Sequence, residues 1–183
     1  MVIKRLSEDF MSDNILLTSL TKFFKKKTNL NSFLRIYNKN SKISLRLLDW
    51  FVTNYSKKYN ISYFIKKRDK RKYFLVYEEY KSQLKAYSKK RFDPFCRRNR
   101  ITFTINKNEE IITTIGQLNF FKWAIETKVL NYVTKHLEKV ETDMNVSIKT
   151  HYKKKNTKTR KPLSICATKQ IRKHNVKIIV NFD

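Results

Sequence analysis

Apolar positions recur through the first third of the chain at helical spacing. In "SDNILLTSLTKFFKK" (12 to 26) Leu16, Leu20 and Phe23 fall on one face, with Ser12 and Asp13 placed to cap it. "NLNSFLRIY" (29 to 37) gathers Leu30, Phe33, Leu34 and Tyr37, and "SLRLLDWFVTNYSKKY" (44 to 59) sets Leu47, Phe51, Tyr55 and Tyr59 four residues apart, with Leu48 and Val52 beside them. Three helices are predicted. The last ends in Lys57 and Lys58, which suit the negative pole of a helix dipole.

The period then changes. "ISYFI" (61 to 65), a charged turn "KKRDKRK" (66 to 72) and "YFLVYEEY" (73 to 80) are rich in aromatic and β-branched residues and read as a hairpin. "KSQLKAYSKK" (81 to 90) is read as helical. "ITFTI" (101 to 105), "NKNEE" (106 to 110) and "IITTI" (111 to 115) form a second hairpin ended by Gly116 as a tight turn. "QLNFFKWAIETKVLNYVTKHLEKV" (117 to 140) carries Leu118, Phe121, Ile125, Val129, Tyr132, His136 and Val140 on one helical stripe. The polar stretch 150 to 161 reads as a cationic loop, and "VKIIVNF" (176 to 182) alternates as a half-buried strand does. The expectation is an α+β fold in two parts: an N-terminal helical segment, 1–42, and a basic domain, 43–183. In the latter an antiparallel sheet of about four or five strands packs on one long helix.

Charge adds a direction to this picture. The 183 residues carry 42 Lys and Arg against 15 Asp and Glu, a formal +27, while 40% hydrophobic and 14% aromatic residues are too many for a disordered polyelectrolyte. Residues 57 to 100 hold 16 basic and 4 acidic groups, residues 149 to 177 hold 11 basic and none acidic, and 101 to 148 hold 5 basic and 6 acidic. A folded chain with such an excess repels itself, and a polyanion relieves the repulsion. Nucleic acid, DNA in the first instance, is the expected partner.

The densest cations then become the expected contacts. In "KKRFDPFCRRNRITF" (89 to 103), Asp93 and Pro94 favour a turn that Phe92 and Phe95 would anchor in the core, with Cys96 a small buried hydrophobe. That turn displays Arg91, Arg97, Arg98 and Arg100, whose planar forks suit phosphate. Lys66, Lys67, Arg68 and Arg71 project from the first hairpin, where neighbouring aromatics could stack on unpaired bases. Lys153, Lys154, Lys155 and Arg160 supply a third cationic stretch.

Other chemistry is thinly represented. Cys96 and Cys166 form no CxxC, and His136, His151 and His174 are scattered, so no metal or cofactor is expected, and the thiols fit a reducing compartment. No nucleotide-binding glycine loop is present. The chain is read as a non-enzyme; a metal-dependent nuclease built from Glu78, Glu79, Asp93, Glu109 or Glu110 is the enzymatic alternative. No apolar run reaches about 18 residues, "MVIKRLSEDFM" lacks a signal-peptide core, and Val2 precludes myristoylation, which together predict a protein without membrane insertion.

The strings "KSQLKAYSKKRFDPFCRR", "TTIGQLNFFKWAI" and "KHNVKIIVNFD" resemble small basic proteins of nucleocytoplasmic large DNA viruses, the giant-virus group, over about residues 44 to 183. The resemblance implies a viral protein of the infected cytoplasm and the virus particle, and it carries no activity or functional residue. The expected function is therefore sequence-nonspecific nucleic-acid binding in genome packaging, or as an accessory to transcription or replication. The rival reading is a structural or interaction protein of the particle that uses its charge on acidic surfaces.

Overall fold

The structure is a computed structural model that describes residues 2–67, 70–96, 98–106 and 109–156. Helix α1 (Val2–Phe24) is longer than the pattern from Ser12 suggests, so Asp13 lies inside the helix instead of capping it. Helix α2 (Lys27–Tyr37) follows, then α3 (Leu45–Trp50), which is capped by the Ser44 hydroxyl accepting from the Leu47 amide at 3.1 Å. A single π turn (Phe51–Tyr55) and the short α4 (Ser56–Lys58) continue it. Leu47, Leu48, Phe51, Val52, Tyr55 and Ser56 are all buried along this run.

Strands β1 (Ser62–Lys67) and β2 (Lys70–Leu75) pair antiparallel, and helix α5 (Val76–Phe92) starts at the next residue. The sequence reading extended this strand to Tyr80. Val76 and Tyr80, four residues apart, are both buried, and Glu78 and Glu79 favour the positive end of a helix, so helical burial overrides β propensity here. Strands β3 (Arg100–Asn106) and β4 (Glu109–Thr114) make the second hairpin. Helix α6 (Ile115–Glu126) again begins without a linker, and Thr114 caps it by accepting from the Gln117 amide.

The chain is α+β with antiparallel strands, as expected, but the four described strands form two separate two-stranded ribbons instead of one sheet. Each ribbon buries one face: Phe74 lies 6.1 Å from Trp123 of α6, and Phe103 lies 6.1 Å from Phe24 of α1. The long helix expected over 117 to 140 is also divided, into α6, α7 (Val129–Lys135) and α8 (Leu137–Asn156). Lys128 adopts a left-handed φ of 61° and the Thr127 hydroxyl bonds back to the Trp123 carbonyl, which ends α6; His136, at φ −119°, separates α7 from α8. The apolar stripe survives both breaks, because Leu118, Phe121, Val129 and Val140 remain buried. His136 packs its ring 4.4 Å from Tyr132.

Residues 1–146 form one compact unit, and residues 147–183 are assigned to another. In the first, the N-terminal helices share the core: Phe24 packs against Phe33 at 5.4 Å, and Phe33 against Phe121 of α6 at 4.9 Å. Of the second unit, 147 to 156 is helical, so the first part of the expected 150–161 loop continues α8. Residues 147 to 156 contain no Gly or Pro to break it. The expected strand at 176 to 182 lies outside the described residues.

Candidate nucleic-acid interface

The β1–β2 ribbon has two chemically distinct faces, set by the alternation of strand side chains. Its inner face holds Tyr63, Ile65 and Phe74. The Tyr63 hydroxyl donates to the Thr127 carbonyl at 3.0 Å, and its ring stacks 5.5 Å from Tyr132, which in turn stacks on Phe51 at 5.2 Å. Burial pushes the Tyr63 phenol pKa up, with a smaller contribution from Tyr132, so the hydroxyl stays a donor through the neutral range. The ribbon is thereby seated on α6, α7 and the π turn.

The outer face has the opposite character. Its rungs are Ser62↔Leu75, Phe64↔Tyr73 and Lys66↔Arg71. Phe64 is 62% exposed and Tyr73 is 53% exposed, with ring centroids 5.5 Å apart at 61°. The Tyr73 and Ser62 hydroxyls are hydrogen-bonded at 2.6 Å, and the Arg71 guanidinium sits over the Phe64 ring at 5.9 Å. Beyond these rings Lys66 opposes Arg71 on the same face, and Lys67 pairs with Lys70 at the end of the ribbon. Lys72 is turned to Glu79 of α5 in an ion pair of 2.5 Å.

The arginine loop divides its residues between roles. Arg91 is directed inward, its Nε 2.5 Å from Asp13, and it is 20% exposed. Asp93 makes the expected turn, accepting from the Phe95 amide at 2.8 Å, and Pro94 and Phe92 are buried beneath it. Phe95 departs from expectation at 41% exposed: its ring lines a cavity instead of anchoring the core. Cys96 is half-buried, and Arg98 and Arg100 are exposed.

Gly116 is not a turn residue. It lies in the first turn of α6, where an added Cβ would come 2.9 Å from the Asp93 carbonyl and 3.2 Å from that of Lys90. The chain's one glycine is therefore used for close approach of two backbones, and it locks the arginine loop against the start of α6. Asn119 of α6 adds a bond to the Arg91 carbonyl at 3.0 Å.

The cavity beside Phe95 measures about 600 Å³ and brings Arg100 together with Lys39 and Arg46 over Ile43 and Ile112, with no carboxylate in its lining. Lys39 and Arg46 were not singled out from sequence, since each is an isolated cation more than 50 residues from Arg100. The side chains of Lys67, Lys153, Lys154 and Lys155, and all of Arg68, Arg97 and Arg160, lie outside the described residues.

Several acids are engaged within the fold. Asp143 of α8 accepts from Trp50 Nε1 at 3.1 Å, Lys58 Nζ at 2.5 Å and the Tyr59 hydroxyl at 3.1 Å. Burial alone would raise its pKa, but these three hydrogen bonds outweigh it and hold the carboxyl below its ordinary value. Asp49 is the reverse case: burial first, then the nearby charge of Asp93, push it up to about 6. Among the described residues no three His, Cys, Asp or Glu side chains converge as a metal site would require.

The family described as "Family of unknown function (DUF7197)" matches residues 3–183. The chain belongs to this family. A relative of this DUF7197 chain, "Uncharacterized protein L507" of Acanthamoeba polyphaga mimivirus, is 46% identical over 138 residues, 73% of this chain and 53% of that protein. The chain thus spans about half the length of the curated relative it matches. The expected likeness to giant-virus proteins is borne out. No solved structure matches the DUF7197 chain.

Proposed function

We propose that this protein binds nucleic acid without sequence preference and serves a large DNA virus in the infected cytoplasm, in packaging its genome or accompanying its transcription or replication. The observation that carries the reading is the Lys66↔Arg71 rung standing beside the exposed Phe64↔Tyr73 rung on the outer face of the β1–β2 ribbon. Cations set beside aromatic rings on one exposed face suit the phosphates and bases of a nucleic acid. The formal +27 of the whole chain points the same way. Arg98 and Arg100 are further exposed cations.

Fluorescence anisotropy with labelled oligonucleotides of unrelated sequence tests the proposal. Binding is expected at 50 mM salt for all of them, with log K falling linearly in log salt; about 6–10 phosphate contacts would cost roughly 10³–10⁵ in affinity between 50 and 200 mM. Absence of measurable binding at 50 mM would overturn it. The particle-protein alternative would then be preferred.

A further inference from the structure

We infer that the outer face of the β1–β2 ribbon is a stacking platform for unpaired bases, so that the protein prefers single-stranded to double-stranded nucleic acid. The inference rests on the nucleic-acid binding proposed above and names the form of polymer that this surface takes. It begins with the Phe64↔Tyr73 rung, two neighbouring aromatic rings that are both exposed. The alternation of the strands provides a buried place for aromatics on this same ribbon, and Phe74, at 1% exposed, occupies it. Large rings left in water carry a hydration cost that a flat apolar ligand would offset.

Neighbouring groups specify that ligand. Arg71 holds its guanidinium over Phe64, and the next rung on this face toward the tip is Lys66↔Arg71, so rings and cations adjoin on one short surface. "SYFIKK" and "KRKYFL", the two strands, contain no acid. A single strand offers the matching order, π-faced bases next to phosphates, and bases also stack on guanidinium planes. A duplex buries its base faces in its own stack and presents phosphates and groove edges, for which exposed phenyl rings have no use. The hydrogen bond between the Tyr73 and Ser62 hydroxyls fixes the second ring before any ligand arrives, so less ordering is required on binding.

Competition anisotropy on the full chain tests this, with a poly(dT) oligonucleotide and a duplex of equal phosphate number at matched salt. The single strand is expected to bind at least tenfold more tightly, with Phe64→Ala/Tyr73→Ala losing about tenfold on the single strand and little on the duplex. Phe64→Leu/Tyr73→Leu, which keeps apolar bulk on the strands, should lose the same preference, while Tyr73→Phe should keep it. Each variant's melting temperature is read alongside, so that unfolding is not mistaken for lost stacking. Equal affinity of the wild type for both polymers, or ring variants that retain the preference, would overturn the platform and leave general nucleic-acid binding intact. No binding to either polymer would overturn both.

Discussion

The two hairpins share a plan and differ in chemistry. Each pairs strands of six or seven residues, buries one face, and runs directly into a helix. The outer face of β1–β2 carries Phe64, Tyr73, Lys66 and Arg71, whereas that of β3–β4 carries Thr102, Thr104, Ile112 and Glu110. At the tips the contrast sharpens: like-charged cations stand opposite each other on the first ribbon, but on the second Thr104 donates to Glu110 at 3.2 Å and Glu109 follows. The second ribbon pairs Thr104 with Glu110 across its strands. The first buries one face and exposes aromatic rings on the other, which is why its inner and outer faces should respond differently to substitution.

The largest effect should separate those two faces. Truncating Phe74→Ala removes a ring packed on Tyr63 and Trp123, and is expected to cost about 3–5 kcal/mol, lowering the melting temperature by roughly 10 °C or more. Tyr73→Ala, one residue away on the exposed face, should cost under about 1 kcal/mol. Thermal unfolding followed by circular dichroism decides it. Equal losses from both variants would erase the distinction between seat and platform.

Reversing charge tests the hairpins against each other. Lys66→Glu/Arg71→Glu is expected to weaken DNA binding more than tenfold at 100 mM salt and to lower the salt slope by roughly 2, as about two phosphate contacts are lost. Glu109→Lys/Glu110→Lys on the other tip should leave the affinity unchanged or raise it. A binding titration of the three proteins, wild type and the two double reversals, would sink the assignment if both ribbons responded alike.

Much of this plan was legible in sequence because local signals and burial agreed. The runs around Leu47, Phe51 and Tyr55, and the alternation in "ITFTI" and "IITTI", became the expected elements with small shifts at their ends. The readings that changed are those in which the signal depended on what lay across the fold. Val76 to Tyr80 looks β-rich, and only contact of Tyr80 with Phe92 and Trp123 makes it helix. Gly116 looks like a turn, and only the Asp93 carbonyl shows why a side chain is forbidden there. The site divided similarly: aromatics beside cations were visible, but which rings face water follows from register against α6 and α7. Arg91 was chosen for its neighbours, and its partner Asp13 is 78 residues distant.

The smallest effect concerns the acids beneath the approach to the second hairpin. Asp49 stands in α3, and Asp93 opens the segment leading to β3; burial and the Asp93 charge raise Asp49 to about 6 from 3.8. A carboxyl with a raised folded pKa binds its proton more tightly in the folded state, so its stabilising contribution is complete below about pH 3.8 and is lost as the pH rises through about 6. Asp49→Asn cannot ionise and escapes that loss. The variant should therefore be more stable than the wild type at pH 7.5, by about 1 kcal/mol once screening by nearby water is allowed for, and the advantage should shrink to nothing by pH 4. Urea unfolding at the two pH values measures the difference. A gain that is the same at both would mean that Asn improves packing, and that the strain between Asp49 and Asp93 has no part in the stability of this half of the fold.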